Sequence, residues 1–391
     1  MEPLRRLLGD GAQANGAVDD LQSICSPSRL MKMVGDWGRS MLPPEEVTVQ
    51  GRRFQVQQQL GEGGFSYVFL AREVPDSRGV DVALKRMLIH EREQEDDALR
   101  EMETMRRIDH PNLLPLILGE IEEEPHPPST SYVIASPART RPAGGAGGGP
   151  RRCHMVFPAF PEGTALDRCV SRPVAKAFTP LQLLGIGCQL CRGLEHMHAL
   201  GIAHYDVKPG NVLLESVMDS MDGAEGSCPG GFRAVLMDFG SARTATRAVA
   251  SRQEALRVQE CAERESTAPF RAPELWDCPS GGDATIDGGA CDVWSLGCAL
   301  FSLTSGGKSP FESASGETGG SLALAVLSGK YRWGESARLA YGTETRAAID
   351  SMISRDASSR PNAVAARLAL ERAMTSASAE RGATNTVTTG E

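Results

Sequence analysis

Six short motifs in one order constrain this chain more than any bulk property. They are LGEGGFSYV (60–68), VALK ending at Lys85, HYDVKPGN (204–211), MDFG (237–240), APE (272–274) and DVWSLG (292–297). Each alone arises by chance. Six in one order make an accidental match very unlikely.

The hydropathy pattern changes period between the two halves. From Phe54, apolar residues alternate through the glycine cluster into VDVALKRML (80–88), the pattern of antiparallel strands. HEREQEDDALREMETMRRI (90–108) then reads as a charged helix, and LQLLGIGCQLCRGLEHMH (181–198), DVWSLGCALFSLTSG (292–306) and TRAAIDSMIS (345–354) carry helical periods. The expected fold class is α+β and bilobal, a small antiparallel-sheet lobe followed by a larger helical lobe. Residues 1–50 form an expected weakly ordered extension with a short amphipathic helix near Leu21–Met33, and 51–370 form one domain. Within it a Pro/Gly/Ser/Arg-rich insertion near 125–152 is expected to be disordered, as is the polar tail 371–391. The loops at 220–231 and 278–289 likewise fall between motifs.

Composition narrows the function classes. A 391-residue chain that is 41% hydrophobic can bury a large core. Its net charge of −9, from 50 acidic against 41 basic residues, disfavours nucleic acid as a partner. The ten cysteines have no regular framework and follow no secretory signal, so free thiols in a reducing compartment are expected. Cys188 and Cys191 have metal-ligand spacing, but without a second pair they read as core residues of a helix. No run reaches the roughly 18–20 apolar residues of a membrane span. Glu2 stands where an N-myristoylation signal needs glycine, the TTGE terminus is not a prenylation box, and Cys25 is expected to be unmodified.

The motif residues have the chemistry to hold an anionic ligand and a cation together. Gly61, Gly63 and Gly64 let a hairpin backbone approach anionic oxygens without a Cβ in the way. Leu60, Val68 and Ala83 flank them on the strands, and Lys85, in an apolar strand, needs a counter-charge. Glu101 is the expected partner; Glu91, Glu93, Glu95 and Glu103 on the same helix are rivals. Asp206, Lys208, Asn211 and Asp238 add two carboxylates, a cation and an amide.

From about Phe54 to Leu370 these motifs resemble a eukaryotic protein kinase catalytic domain. ALKRMLIHEREQEDDALREMETMRRIDHPNLLPL, VLMDFGSA, SRQEALRVQECAERESTAPFRAPEL and LALAVLSGKYRWG resemble the Numb-associated kinase family. The resemblance implies transfer of the γ-phosphate of ATP, with Mg²⁺, to Ser or Thr of protein substrates. Asp206 would orient the substrate hydroxyl and Lys208 would stabilise the moving phosphoryl group. Lys85, paired with Glu101, would hold the α- and β-phosphates, while Leu60, Gly61, Gly63, Gly64, Val68 and Ala83 would enclose the nucleotide. Asn211 and Asp238 would bind the metal. Phe157 would guard the back of the adenine pocket, with Pro158–Phe160 as hinge.

Thr267 would bond Asp206 and Lys208, which favours Ser and Thr acceptors. Glu274 with Arg360, and Asp292, would brace the architecture. Ser251 and Glu254 have capping-box spacing before a helical run in a long activation segment. Three positions depart from the family. Ser66 replaces the third loop glycine, Tyr205 replaces the arginine before Asp206, and Phe270 replaces a tyrosine near the end of the segment. Tyr205 removes the cation that would grip an activation-loop phosphate.

The resemblance also implies a cytoplasmic protein, peripheral to Golgi-type membranes through some signal other than N-myristoylation. Two other readings remain at this point, a pseudokinase scaffold and a lipid or small-molecule kinase on the same fold. Substrate, regulator and oligomeric state are not legible.

Overall fold

Alternating apolar residues in the first half build a six-stranded antiparallel sheet in the order β1-β2-β3-β4-β6-β5. Its strands are β1 Glu46–Val49, β2 Arg52–Glu62, β3 Ser66–Val74, β4 Asp81–Ile89, β5 Leu118–Glu123 and β6 Arg151–Pro158. The computed structural model describes residues 45–63, 66–75, 79–123, 151–173, 177–217, 231–282, 284–313 and 320–387. Because strand side chains alternate between faces, Val47, Val49, Phe54, Ala71, Val82, Leu84 and Val156 meet in a core of their own on one face. The other face looks onto helix α1, Arg92–Arg107. That helix begins in a capping box between Glu91 and Gln94 and buries Ala98, Glu101, Met102 and Met105.

Two expected boundaries move. Residues 1–50 were assigned to the extension, yet β1 lies inside them: Val47 and Val49 pair with Phe54 and Arg52, and the sheet face is incomplete without them. The insertion also ends sooner than 152. Arg151 and Arg152 pair with Ile89 and Leu88 as the first residues of β6, because a strand can tolerate charged residues at its end. The rest of that insertion, the Leu21–Met33 helix, Glu2, Cys25 and most of the 220–231 loop lie outside the described residues.

The large lobe is built on helices α2 Ala165–Ser171, α3 Pro180–Ala199, α4 Arg252–Glu265, α5 Pro273–Trp276 and α6 Gly288–Leu303. Helices α7 Leu322–Ser328, α8 Glu335–Ala340, α9 Thr343–Met352 and α10 Ala363–Val387 complete it. Three two-stranded ribbons join them, pairing β7 Ile202–Ala203 with β10 Arg243–Thr244, β8 Val212–Ser216 with β9 Phe232–Leu236, and β11 Thr246–Ala248 with β12 Thr285–Asp287. Helices α3 and α6 are apolar nearly all round and lie in the core, where Trp294 stacks on Phe311 at 5.3 Å. Cys188 and Cys191 are buried in α3, where burial pushes the Cys188 thiol up to about 12.

The tail is corrected too. Residues 371–387, expected as disordered, continue α10. Ala366, Leu370 and Ala373 bury one stripe of that helix, and Arg367 donates to Glu195 of α3 at 2.7 Å. Docking supplies the nucleus, and the Ala/Ser/Glu residues that follow propagate a helix at little cost.

Candidate active site

The register of the sheet brings the first group of side chains to one face. Val68 stands opposite Lys85, and Leu70 opposite Ala83. Phe157 and Met155 of β6 stand opposite Ala83 and Lys85 in turn. Directly paired residues point the same way, so these six line the face turned from Ala71, Val82 and Leu84. Phe157 is buried there, immediately before Pro158–Phe160. Gly61 pairs with Val68, and Gly63 closes the β2–β3 hairpin by donating to the Ser66 carbonyl at 2.7 Å. A Cβ on Gly63 would lie 3.0 Å from Ser66 Oγ, so glycine there lets Ser66 take its place in the turn without crowding. Leu60 is exposed before the turn, and Gly64 lies outside the described residues.

Lys85 Nζ lies 2.8 and 3.0 Å from the two oxygens of Glu101. Three of the four rivals are engaged elsewhere, since Glu91 caps α1, Glu95 pairs with Arg151, and Glu93 reaches Arg264 at 3.5 Å, while Glu103 is exposed on the helix. Lys85 is also 3.8 Å from Asp238 Oδ1. Burial works against its charge, but the carboxylates of Glu101 and Asp238 outweigh burial and hold the Lys85 ammonium above the ordinary lysine range.

The loop after β7 is held from behind. Asp292, wholly buried on α6, accepts from the backbone N–H groups of His204 at 2.8 Å and Tyr205 at 2.7 Å, and lies 2.9 Å from His198 Nε2. Tyr205 adopts a left-handed φ of 63°, which turns the chain so that Asp206 faces the cleft. Asp206 Oδ2 then receives Lys208 Nζ at 2.7 Å and Asn211 Nδ2 at 3.1 Å, while Oδ1 receives the Thr267 N–H at 2.8 Å. Lys208 also donates to Thr267 Oγ1 at 2.7 Å. Asn211 Nδ2 donates to the Asp206 carbonyl as well, at 2.9 Å, which leaves the amide oxygen of Asn211 to face outward.

Asp238 is joined to this group through the backbone, since Met237 N–H, next before it, donates to Asn211 O at 2.9 Å. Its φ is 68°, the second strained non-glycine turn at the site. His204 packs edge-on against Phe239 at 5.4 Å. The Asp238 carboxylate is 49% exposed toward the cleft. Crowding by protein would raise its pKa, but Lys85, then His204 and Lys208, and the Gly240 N–H outweigh that and lower it. Asp238 and Asn211 thus offer two outward oxygens of the hard type that Mg²⁺ takes.

The segment from Asp238 to Glu274 contains α4, which starts at Ser251 where capping-box spacing was noted. Ser251 Oγ accepts from Glu254 N at 3.2 Å, but the Glu254 carboxylate reaches Ala250 N at 2.7 Å, one residue earlier than a capping box requires. At the other end Arg271, buried over the Trp276 ring at 4.4 Å, donates to Ser266 Oγ at 2.8 Å and Ser266 O at 2.9 Å. Arg360 closes on Glu274 with two bonds of 2.6 and 2.7 Å. Phe270 is buried, and its carbonyl accepts from Ser295 Oγ at 2.9 Å.

Some contributors escaped sequence reasoning. Gln189 and Asn112 form a buried amide pair at 3.0 Å that ties α3 to β9 through the Ala234 backbone. A Gln inside the apolar run LLGIGCQLC was the available signal. His198 and Arg243 carry no local signal, because Asp292 and Glu265, which they meet, are distant in sequence.

The protein kinase domain family profile matches residues 54–369. Serine/threonine-protein kinase 16 of Rattus norvegicus is 34% identical over 281 residues, covering 72% of this chain and 78% of the relative. Its Homo sapiens counterpart is 33% identical over 318 residues, covering 81% and 88%. A probable serine/threonine-protein kinase of Dictyostelium discoideum is 27% identical over 379 residues, covering 82% and 94%.

Proposed function

This chain belongs to the protein kinase family and is a protein serine/threonine kinase, and from that premise we propose that it is catalytically active, moving the γ-phosphate of ATP onto protein hydroxyls. One observation carries the reading. Asp206, Lys208, Asn211 and Thr267 form a single network of bonds no longer than 3.1 Å, beside an intact Lys85–Glu101 pair.

In this reading Asp206 accepts the hydrogen bond of the incoming Ser or Thr hydroxyl. Thr267 N–H and Asn211 Nδ2 fix its carboxylate plane, so the acceptor geometry exists before substrate arrives. Lys208, already on Asp206 and Thr267, is poised to meet charge on the transferring group. Lys85 holds the α- and β-phosphates, with Glu101 preventing its collapse onto Asp238. Gly61 and Gly63, with Gly64, cover the phosphates, and Leu60, Val68 and Ala83 enclose the base, which Phe157 closes from behind. Asp238 and Asn211 would hold Mg²⁺, which when bound neutralises charge on the β- and γ-phosphates. Thr267 reaching both Asp206 and Lys208 favours Ser and Thr acceptors.

The helix α4 within the activation segment supports membership of the Numb-associated family. The eight described cysteines are free thiols, which suits a reducing cytoplasm. The test is transfer from labelled ATP with Mg²⁺ to a generic basic substrate, comparing the intact protein with Asp206→Asn. Transfer to Ser or Thr that vanishes in the variant supports the proposal. Nucleotide binding without transfer in the intact protein returns the scaffold reading.

A further inference from the structure

We infer that Tyr205 is a positioning residue, a latch that fastens the activation segment to the catalytic loop where a phosphate-gripping arginine would otherwise stand. The argument begins with what holds the phenol. Its own N–H is bound by Asp292 Oδ1 at 2.7 Å. Four residues earlier on the same helix, and so on the same face, Gly288 supplies the floor for the ring. A Cβ there would lie 2.7 Å from Tyr205 Cζ and from the Ala203 Cβ, and closer still to the phenol oxygen. Only glycine admits this ring, so α6 grips Tyr205 by backbone at one end and by side chain at the other.

The hydroxyl then reaches outward, donating to the Thr244 carbonyl at 3.3 Å. Thr244 belongs to β10, whose other bonds go to β7, the strand that leads into Tyr205. Gly288 N–H donates to the carbonyl of Ala245, the next residue, at 2.6 Å. Tyr205, Thr244, Ala245 and Gly288 therefore close a ring of contacts that ends one residue from Asp206. Burial, with the anionic neighbours Asp292 and Asp287, pushes the phenol well above its ordinary pKa, so the latch is neutral.

A second observation agrees. Beside the hydroxyl lies a cavity of about 470 Å³ bordered by Arg243, Arg247 and Cys261. The cation nearest the segment's root, Arg243, already has an anion from the segment itself. It pairs with Glu265 at the end of α4 at 2.9 Å and donates to the carbonyls of Gly240 and Ala242, each at 2.8 Å. The segment is ordered by its own carboxylate and by Tyr205, with no added charge required. Its far end delivers Thr267 to Asp206 and Lys208, so loosening the near end is felt at the reacting groups.

The inference rests on the kinase reading for its rate measurement alone. Tyr205→Phe removes one oxygen and keeps the ring on Gly288. Amide hydrogen exchange over residues 243–248 is expected to speed about threefold to tenfold, the loss of one neutral hydrogen bond. The kcat for peptide phosphorylation should fall by a similar factor, with KM for ATP unchanged, because the ring touches Gly288 and Thr244 rather than Lys85 and Glu101. Gly288→Ala, which displaces the ring, should accelerate the same amides. Treating the wild type with a Ser/Thr phosphatase should leave kcat unchanged. Wild-type exchange rates in Tyr205→Phe would overturn the latch whatever the activity, and so would loss of activity after phosphatase treatment. Faster exchange in a protein that transfers no phosphate would sustain the latch and sink the kinase reading.

Discussion

Replacing Glu274 by Gln puts the architecture under its hardest test. The Arg360 side chain is fully buried, and its guanidinium is saturated. Two donors go to Glu274 at 2.6 and 2.7 Å, and the rest go to the carbonyls of Ala290 at 3.0 Å, Ser354 at 2.7 Å and Arg355 at 3.2 Å. Its plane lies 5.0 Å over the Trp294 ring. Glutamine has the shape of glutamate but turns an NH₂ toward an N–H donor and removes the only anion bound to Arg360 among the described residues. Breaking a buried pair from one side costs about 3–5 kcal/mol. At about 2 °C per kcal/mol for a large domain, Tm should fall by roughly 6–10 °C. Differential scanning calorimetry of Glu274→Gln against wild type measures this directly. The double variant Glu274→Leu/Arg360→Met, which removes both charges, should recover a substantial part of the loss. A single variant melting within about 1 °C of wild type would refute the reasoning, since an uncompensated buried guanidinium cannot be that cheap.

Other outcomes are equally specific. Thr267→Ala keeps the N–H on Asp206 but leaves Lys208 without its hydroxyl acceptor, and kcat should fall about tenfold or more, with Thr267→Ser restoring most of it; steady-state kinetics on a serine peptide decide. Glu101→Gln leaves the Lys85 ammonium facing an amide and should lower kcat/KM for ATP at least about tenfold; an unchanged value would mean that Asp238 alone places the lysine. His154 is buried between Arg86 and Arg152 with Glu45 and Glu122 nearby, and burial, reinforced by those arginines, pushes its imidazole down to about 4. The unfolded chain therefore takes up a proton near pH 6.5 that the folded chain refuses, so stability present above that pH is lost as pH falls toward about 4. His154→Leu should flatten the dependence of Tm on pH between pH 7 and pH 5, and an unaltered slope would remove His154 from the account.

The residues of the two catalytic loops could be read locally, but their backbone conformation could not. HYDVKPGN and MDFG are legible as motifs because their residue types recur at fixed short spacings. That Tyr205 and Asp238 adopt left-handed turns is not, since the compensation comes from Asp292 and from neighbours tens of residues away. The choice of Glu101 among five acidic residues could be made from its place on the helix, whereas the engagement of its rivals by Arg151 and Arg264 required the packed sheet and α4. Expectations failed where composition was the only guide. Polar residues 371–387 are helical because α10 docks on α3, and β1 exists because β2 has an apolar face to share.

By itself, then, the sequence determined the family of fold, the order of its motifs and the identity of the groups that can meet nucleotide, metal and hydroxyl. Those depend on residue type, period and spacing, which are local properties of the chain. The tertiary structure alone decided which groups actually touch. Glu265 answers Arg243, Asp292 answers His198, and Gly288 makes room for the phenol of Tyr205. Such pairs are chosen by the closing of long loops and the exclusion of water between elements, and no short window of sequence contains both partners.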